Sequence, residues 1–88
     1  DTIKIETTGR GKENIYKTEF DYSNIYEKLK SDYDVLISDD AGNYFCNNIY
    51  YNGLKMINDN NLKTNMIFIH IPDIDNITDI YKLASKFN

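Results

Sequence analysis

The chain has 88 residues, of which 41% are hydrophobic and 27% are charged, so it should form a globular domain rather than a disordered segment. Its net charge of −4 argues against nonspecific binding to nucleic acid or to an anionic membrane surface. No apolar run approaches the roughly 20 residues of a transmembrane helix, and no signal-peptide pattern opens the chain. We therefore predict a single domain over residues 1–88.

The first half of the chain predicts a strand, a loop, a helix and a second strand. Polar and apolar residues alternate over Thr2–Glu6, which is typical of a short strand. The polar stretch 7–14, with two glycines, predicts a loop. An amphipathic helix follows, with Asp21 or Ser23 as its cap and with Tyr22, Ile25, Tyr26 and Leu29 on its apolar face. The apolar run Val35–Ile37 predicts a strand that is covered on both faces.

The second half predicts a helix, a strand and a final helix. A turn over 39–42 leads into a helix whose apolar stripe is Ile49, Tyr50, Leu54 and Ile57. Residues 66–69 predict a buried strand, which Pro72 ends because proline donates no ladder hydrogen bond. Asp75 can cap the final helix. The order of elements predicts an α/β fold with a mostly parallel open sheet and helices on both faces, a three-layer α/β/α arrangement.

Three polar groups follow predicted strands. Glu6 ends the first strand, Cys46 lies beyond the turn after the second, and His70 ends the third. Because ligands bind at the carboxyl ends of strands in open α/β sheets, we expect these groups to share one rim.

The three groups have the chemistry of a cysteine hydrolase. The N-terminus of a helix favours the thiolate of Cys46, and its N–H groups could stabilise an oxyanion. His70 can accept the thiol proton, and Glu6 can orient the imidazole. Asp39 and Asp40 could also orient it, although they are better explained as turn and cap residues.

Each group also has a structural interpretation. A free cysteine is usually a small core residue, and a lone histidine on an apolar strand is usually a satisfied core residue. Glu6 could be solvated or paired with Lys4. No phosphate-binding glycine loop, dinucleotide fingerprint or metal-ligand spacing is present, so neither a cofactor nor a metal is expected. A single cysteine cannot form an internal disulfide, which fits a reducing cytosol or nucleus, and we expect a cytoplasmic location.

Two segments resemble the pyroglutamyl peptidase I family, also called pyrrolidone-carboxylate peptidase. Residues 38–47, SDDAGNYFCN, resemble its nucleophile segment, and residues 68–72, FIHIP, resemble its histidine segment. His70 follows Cys46 by 24 residues, as in the family. Residues 3–6, IKIE, resemble the strand that ends in the family's catalytic glutamate. Residues 14–20 resemble a later stretch that leads into a helix.

The resemblance implies a cysteine exopeptidase that removes N-terminal pyroglutamate from peptides through a thioester. Cys46 would be the nucleophile, His70 the base and Glu6 the orienting group. Tyr44 and Phe45 match positions that line the lactam pocket. The implied substrates are pyroglutamyl peptides, without a cofactor, nucleic acid or membrane partner, and a homo-oligomer is left open.

The chain also departs from the family pattern. The family's Gly-Phe-x-Pro-Phe-Gly loop and a segment with Pro-Asp-Asn have no counterpart, and Asp73–Asp75 replaces the usual residues after Pro72. The resemblance therefore implies the carboxyl-terminal part of such a domain. Two alternatives stay open: a non-catalytic relative that binds peptides or partners, and a cysteine hydrolase that acts on another lactam or amide.

Overall fold

The computed structural model describes residues 2–42, 45–71 and 80–87. The predicted roles of Pro72 and Asp75 lie outside these residues. Five strands and three helices occur in the described parts of the chain. In chain order they are β1 (Ile3–Glu6), β2 (Thr8–Arg10), β3 (Ile15–Lys17), α1 (Ser23–Lys30), β4 (Val35–Ser38), α2 (Phe45–Asp59), β5 (Phe68–His70) and α3 (Ile80–Ser85).

The main sheet is mixed, which corrects the prediction of a mostly parallel sheet. Its described strands are ordered β4-β1-β5, with β1 parallel to β4 and antiparallel to β5. An antiparallel strand at the edge of an otherwise parallel sheet is common, because strand direction at an edge is less constrained. The α/β class is confirmed, and the three-layer arrangement stays a prediction.

Residues 7–14, predicted as a loop, contain strand β2, so this prediction was wrong. Strands β2 and β3 form an antiparallel hairpin in which Gly9 pairs with Tyr16. Gly9 is needed because the hairpin lies against α2: a Cβ at this position would stand 2.7 Å from Cα of Tyr51. Tertiary packing therefore turns a polar, glycine-containing stretch into a strand that local propensity does not favour.

The core lies on one face of β1. Ile3 and Ile5 are buried there against Leu29 of α1 and Leu83 of α3. The predicted amphipathic pattern of α1 is confirmed, since Leu29 is buried and its apolar neighbours pack around the core. The predicted cap, Asp21 or Ser23, was wrong: the N-cap is Tyr22, without a side-chain capping hydrogen bond, and Asp21 just before it accepts hydrogen bonds from the backbone N–H and the hydroxyl of Ser23.

The prediction that β4 is covered on both faces was wrong, and the predicted stripe of α2 is confirmed for Tyr50 and Leu54 but wrong for Ile49. Leu36 and Ile37 of β4 are about half exposed, so neither side chain is fully covered on its face of the sheet within the described residues. On α2 the buried residues are Asn47, Tyr50 and Leu54, whereas Ile49 is exposed. The buried stripe is rotated toward Asn47, which contacts the hairpin.

Candidate active site

Glu6 is a buried carboxylate at the end of the central strand. Its side chain is 1% exposed, and Oε2 lies 3.5 Å from Nε2 of His70. The other oxygen, Oε1, is buried and has no hydrogen-bond partner among the described residues. A buried acceptor without a partner carries a desolvation cost of about 1–3 kcal/mol, so such atoms call for a functional explanation.

His70 reaches Glu6 diagonally across the antiparallel pair of strands. In the register His70 lies opposite Lys4, while Glu6 lies opposite Phe68, so all four side chains project from the same face of the sheet. The His70 ring is about one third exposed and stands 5.0 Å from the Phe68 ring. The predicted proximity of Glu6 and His70 is therefore found, but the argument from a shared carboxyl edge was wrong because β5 runs antiparallel to β1.

The contact distinguishes the two imidazole nitrogens. Nε2 is the atom that faces the Glu6 carboxylate. When a neutral imidazole keeps its proton on the nitrogen that faces a carboxylate, the other nitrogen holds the free lone pair. Nδ1 of His70 is then the atom available to accept a proton.

Cys46 is the second residue of α2. It is a free, half-buried cysteine in the first turn of that helix. Within the described residues, its sulfur forms no hydrogen bond with His70 or Glu6. Phe45 begins the helix and is 82% exposed, while Tyr44, the other predicted pocket residue, lies outside the described residues.

A turn joins β4 to the segment that carries Cys46. The Asp40 carboxylate accepts the N–H of Gly42, and Ser38 exchanges hydrogen bonds with the Asp40 backbone. Gly42 has φ of +91°, a conformation that side-chain-bearing residues rarely adopt. The positive φ therefore explains why a glycine occupies this position of the segment 38–47.

Sequence reasoning missed two residues that fix the helix of Cys46. The Asn47 side chain accepts the backbone N–H of Arg10 at 2.9 Å and donates to the Arg10 carbonyl at 2.7 Å. The Tyr50 hydroxyl donates to the backbone carbonyl of Glu6 at 2.8 Å, and burial raises the pKa of Tyr50 above 10.0. The position of Asn47 directly after Cys46 could have pointed to its role. The apolar spacing of Tyr50 predicts packing alone and gives no sign of its hydrogen bond.

An open cleft of about 290 Å³ adjoins the Glu6–His70 pair. It is lined by Thr2, Lys4, Glu6, Asp40, Ala41, Gly42 and His70. A larger cavity of about 720 Å³, lined by residues of β3, α2 and the segment before β5, includes neither Glu6 nor His70.

The described residues contain no group of three or more His, Cys, Asp or Glu side chains that could hold a metal ion. Within the same ranges, every helix falls short of the length and apolar character that crossing a membrane requires.

Comparison with known proteins adds one finding to this geometry. No curated protein and no solved structure matches the chain significantly. Among protein families, the one described as pyroglutamyl peptidase matches residues 5–84, which includes all of the predicted site residues. A match over most of the chain establishes that it belongs to the pyroglutamyl peptidase family.

Proposed function

We propose that this protein is a cysteine exopeptidase that removes N-terminal pyroglutamate from peptides. The contact between the buried Glu6 carboxylate and His70 is the observation that carries the proposal. Family membership supports it independently. A carboxylate that faces one imidazole nitrogen is the arrangement that orients a catalytic histidine.

In the first half of the reaction, Cys46 attacks the carbonyl carbon of the pyroglutamyl residue. His70 accepts the thiol proton at Nδ1, and the Glu6 carboxylate stabilises the resulting imidazolium through Nε2. Collapse of the tetrahedral intermediate breaks the C–N bond while His70 returns the proton to the leaving amine. The products are a thioester on Cys46 and the shortened peptide.

In the second half, His70 takes a proton from water, and the hydroxide attacks the thioester. The C–S bond breaks, pyroglutamate leaves, and the thiol of Cys46 is regenerated. Backbone N–H groups in the first turn of α2 are suited to stabilise the oxyanion in both halves.

The substrate ring is uncharged, and this suits an apolar pocket. A lactam has no ammonium group, so its burial does not carry the desolvation cost of a charge. Tyr44 and Phe45 are proposed to contact it, and the largely exposed Phe45 ring offers apolar surface next to Cys46.

The proposal includes a three-layer fold and a cytoplasmic location. Either a monomer or a homo-oligomer is compatible with it.

The test is release of a fluorescent amine from a pyroglutamyl amide by the protein and by its Cys46→Ala variant. We expect release by the wild type and none above background by the variant. Glutamyl and prolyl amides are the substrate controls, since a preference for either would indicate a different cysteine hydrolase.

A second measurement addresses the thiol directly. Iodoacetamide should alkylate Cys46 of the folded protein rapidly if this thiol is the nucleophile, whereas an inert core cysteine would react slowly. No amine release and slow alkylation by the folded wild type would favour the non-catalytic, peptide-binding relative instead.

A further inference from the structure

Glu6 carries a buried acceptor oxygen, Oε1, that has no hydrogen-bond partner among the described residues. Oε1 belongs to a side chain that is 1% exposed, and Glu6 lines the cleft next to His70. His70 approaches Oε2 rather than Oε1. A carboxylate oxygen can only accept, so the ligand group that completes the site is an N–H or O–H donor.

Lys4 brings the complementary charge to the same cleft. It precedes Glu6 by two residues, so the two side chains project from the same face of β1, and it lies directly opposite His70 in the register. Its side chain is exposed and lines the cleft. Within residues 2–42, 45–71 and 80–87, its ammonium group has no hydrogen-bond or ion-pair partner.

The other charge on the cleft wall is Asp40, whose carboxylate is already engaged by the N–H of Gly42. With Lys4 positive and both Glu6 and Asp40 negative, the cleft does not attract an anion. A neutral ligand that presents a donor and an acceptor side by side fits the Lys4–Glu6 pair better.

We propose that Lys4 and Glu6 together recognise the lactam edge of the pyroglutamyl ring. In a five-membered lactam the amide is cis, so the N–H and the C=O point outward on the same edge. The lactam N–H would donate to Oε1 of Glu6, and the ammonium group of Lys4 would donate to the ring carbonyl. This inference rests on the proposed function, and it makes Lys4 a specificity-determining residue that acts beside His70.

Binding of 5-oxoprolinamide, measured by calorimetry in the Cys46→Ala background, tests the inference without turnover. We expect Lys4→Met to weaken binding about tenfold or more, because it removes a charge-assisted hydrogen bond. Lys4→Arg should restore part of the affinity. Lys17→Met is the matched control, since Lys17 is an exposed strand lysine that does not line this cleft, and it should bind as the background does.

The proposed hydrogen bond from the lactam N–H to Glu6 is tested by changing the ligand, because a substitution of the buried Glu6 could disturb the fold. Methylation of the ring nitrogen of 5-oxoprolinamide should weaken binding by tenfold or more. Equal affinity for the methylated ligand, unchanged affinity in Lys4→Met, or no lactam binding by the folded protein would each overturn the proposal.

The outcomes separate the inference from the proposed function. If the protein releases amine from pyroglutamyl amides and Lys4→Met leaves KM unchanged, the peptidase stands and lactam recognition by Lys4 is refuted. If lactam binding depends on Lys4 but no amine is released, the recognition site stands and the peptidase is refuted.

Discussion

The two faces of β1 differ in nearly every physical property, although the strand has only four residues. On one face Ile3 and Ile5 are buried against Leu29 and Leu83. The opposite face carries Lys4 and Glu6, with His70 beside them from β5. Strand alternation therefore places the stabilising apolar contacts on one face and the polar side chains on the other. Among the described residues, the polar face holds one buried oxygen without a partner, Oε1 of Glu6.

The largest expected effect is on the polar face. His70→Ala should lower kcat for pyroglutamyl amide hydrolysis by roughly 10²–10⁴-fold, the usual contribution of a general acid–base. The melting temperature should also fall, because without the imidazole the buried Glu6 carboxylate loses the group that faces Oε2. Amine release and thermal unfolding measure the two quantities, and a variant with near wild-type kcat would contradict the assignment of His70.

On the apolar face the expected effect is on stability alone. Ile5→Ala removes a fully buried side chain and should lower the free energy of unfolding by about 2–5 kcal/mol. Urea unfolding measures the loss. Ile49→Ala is the matched control, since Ile49 is 59% exposed and its truncation should cost less than about 0.5 kcal/mol. Equal losses in the two variants would mean that Ile49 is buried, as the sequence pattern predicts.

A smaller effect is expected where α2 is held to the hairpin. Asn47→Ala leaves the backbone N–H and C=O of Arg10 without their side-chain partner, at a cost of about 1–3 kcal/mol. Asn48→Ala changes the same residue type at an exposed neighbouring position and should be almost neutral. Urea unfolding of both variants checks this, and a neutral Asn47→Ala would show that the Arg10 contact contributes nothing to stability.

The smallest effect concerns the ion pairs at the rim of the apolar face. Lys86 and Lys82 of the C-terminal segment approach Asp32 at 2.5 and 3.2 Å and lower its pKa below 3.8. Because the folded pKa lies below the unfolded value, the stabilisation is present above pH 3.8 and is lost as the pH falls through the folded pKa.

Asp32→Asn should therefore be slightly less stable than the wild type at pH 7, and the difference should vanish at strongly acidic pH. Urea unfolding at both pH values measures it. Asp34→Asn serves as the control, since Asp34 has no ion pair within the described residues. A difference that persists in acid would indicate that the charge of Asp32 is not its cause.

The sequence by itself determined the apolar face of β1 and the family to which the chain belongs. Alternation fixed the inward positions Ile3 and Ile5, and helical spacing fixed Leu29, because both patterns depend on backbone geometry alone. The motifs around Cys46 and His70 identified the family, which the match over residues 5–84 establishes.

Only the tertiary structure decided how Glu6 and His70 come into contact. The antiparallel direction of β5 places His70 opposite Lys4 and diagonal to Glu6, and strand direction depends on a pairing partner that local sequence does not encode. The close packing of Gly9 on α2 likewise made a strand from an apparent loop. The unpartnered Oε1 of Glu6 became visible only once burial and every neighbouring donor were known, because an unmet hydrogen bond is a property of the whole environment.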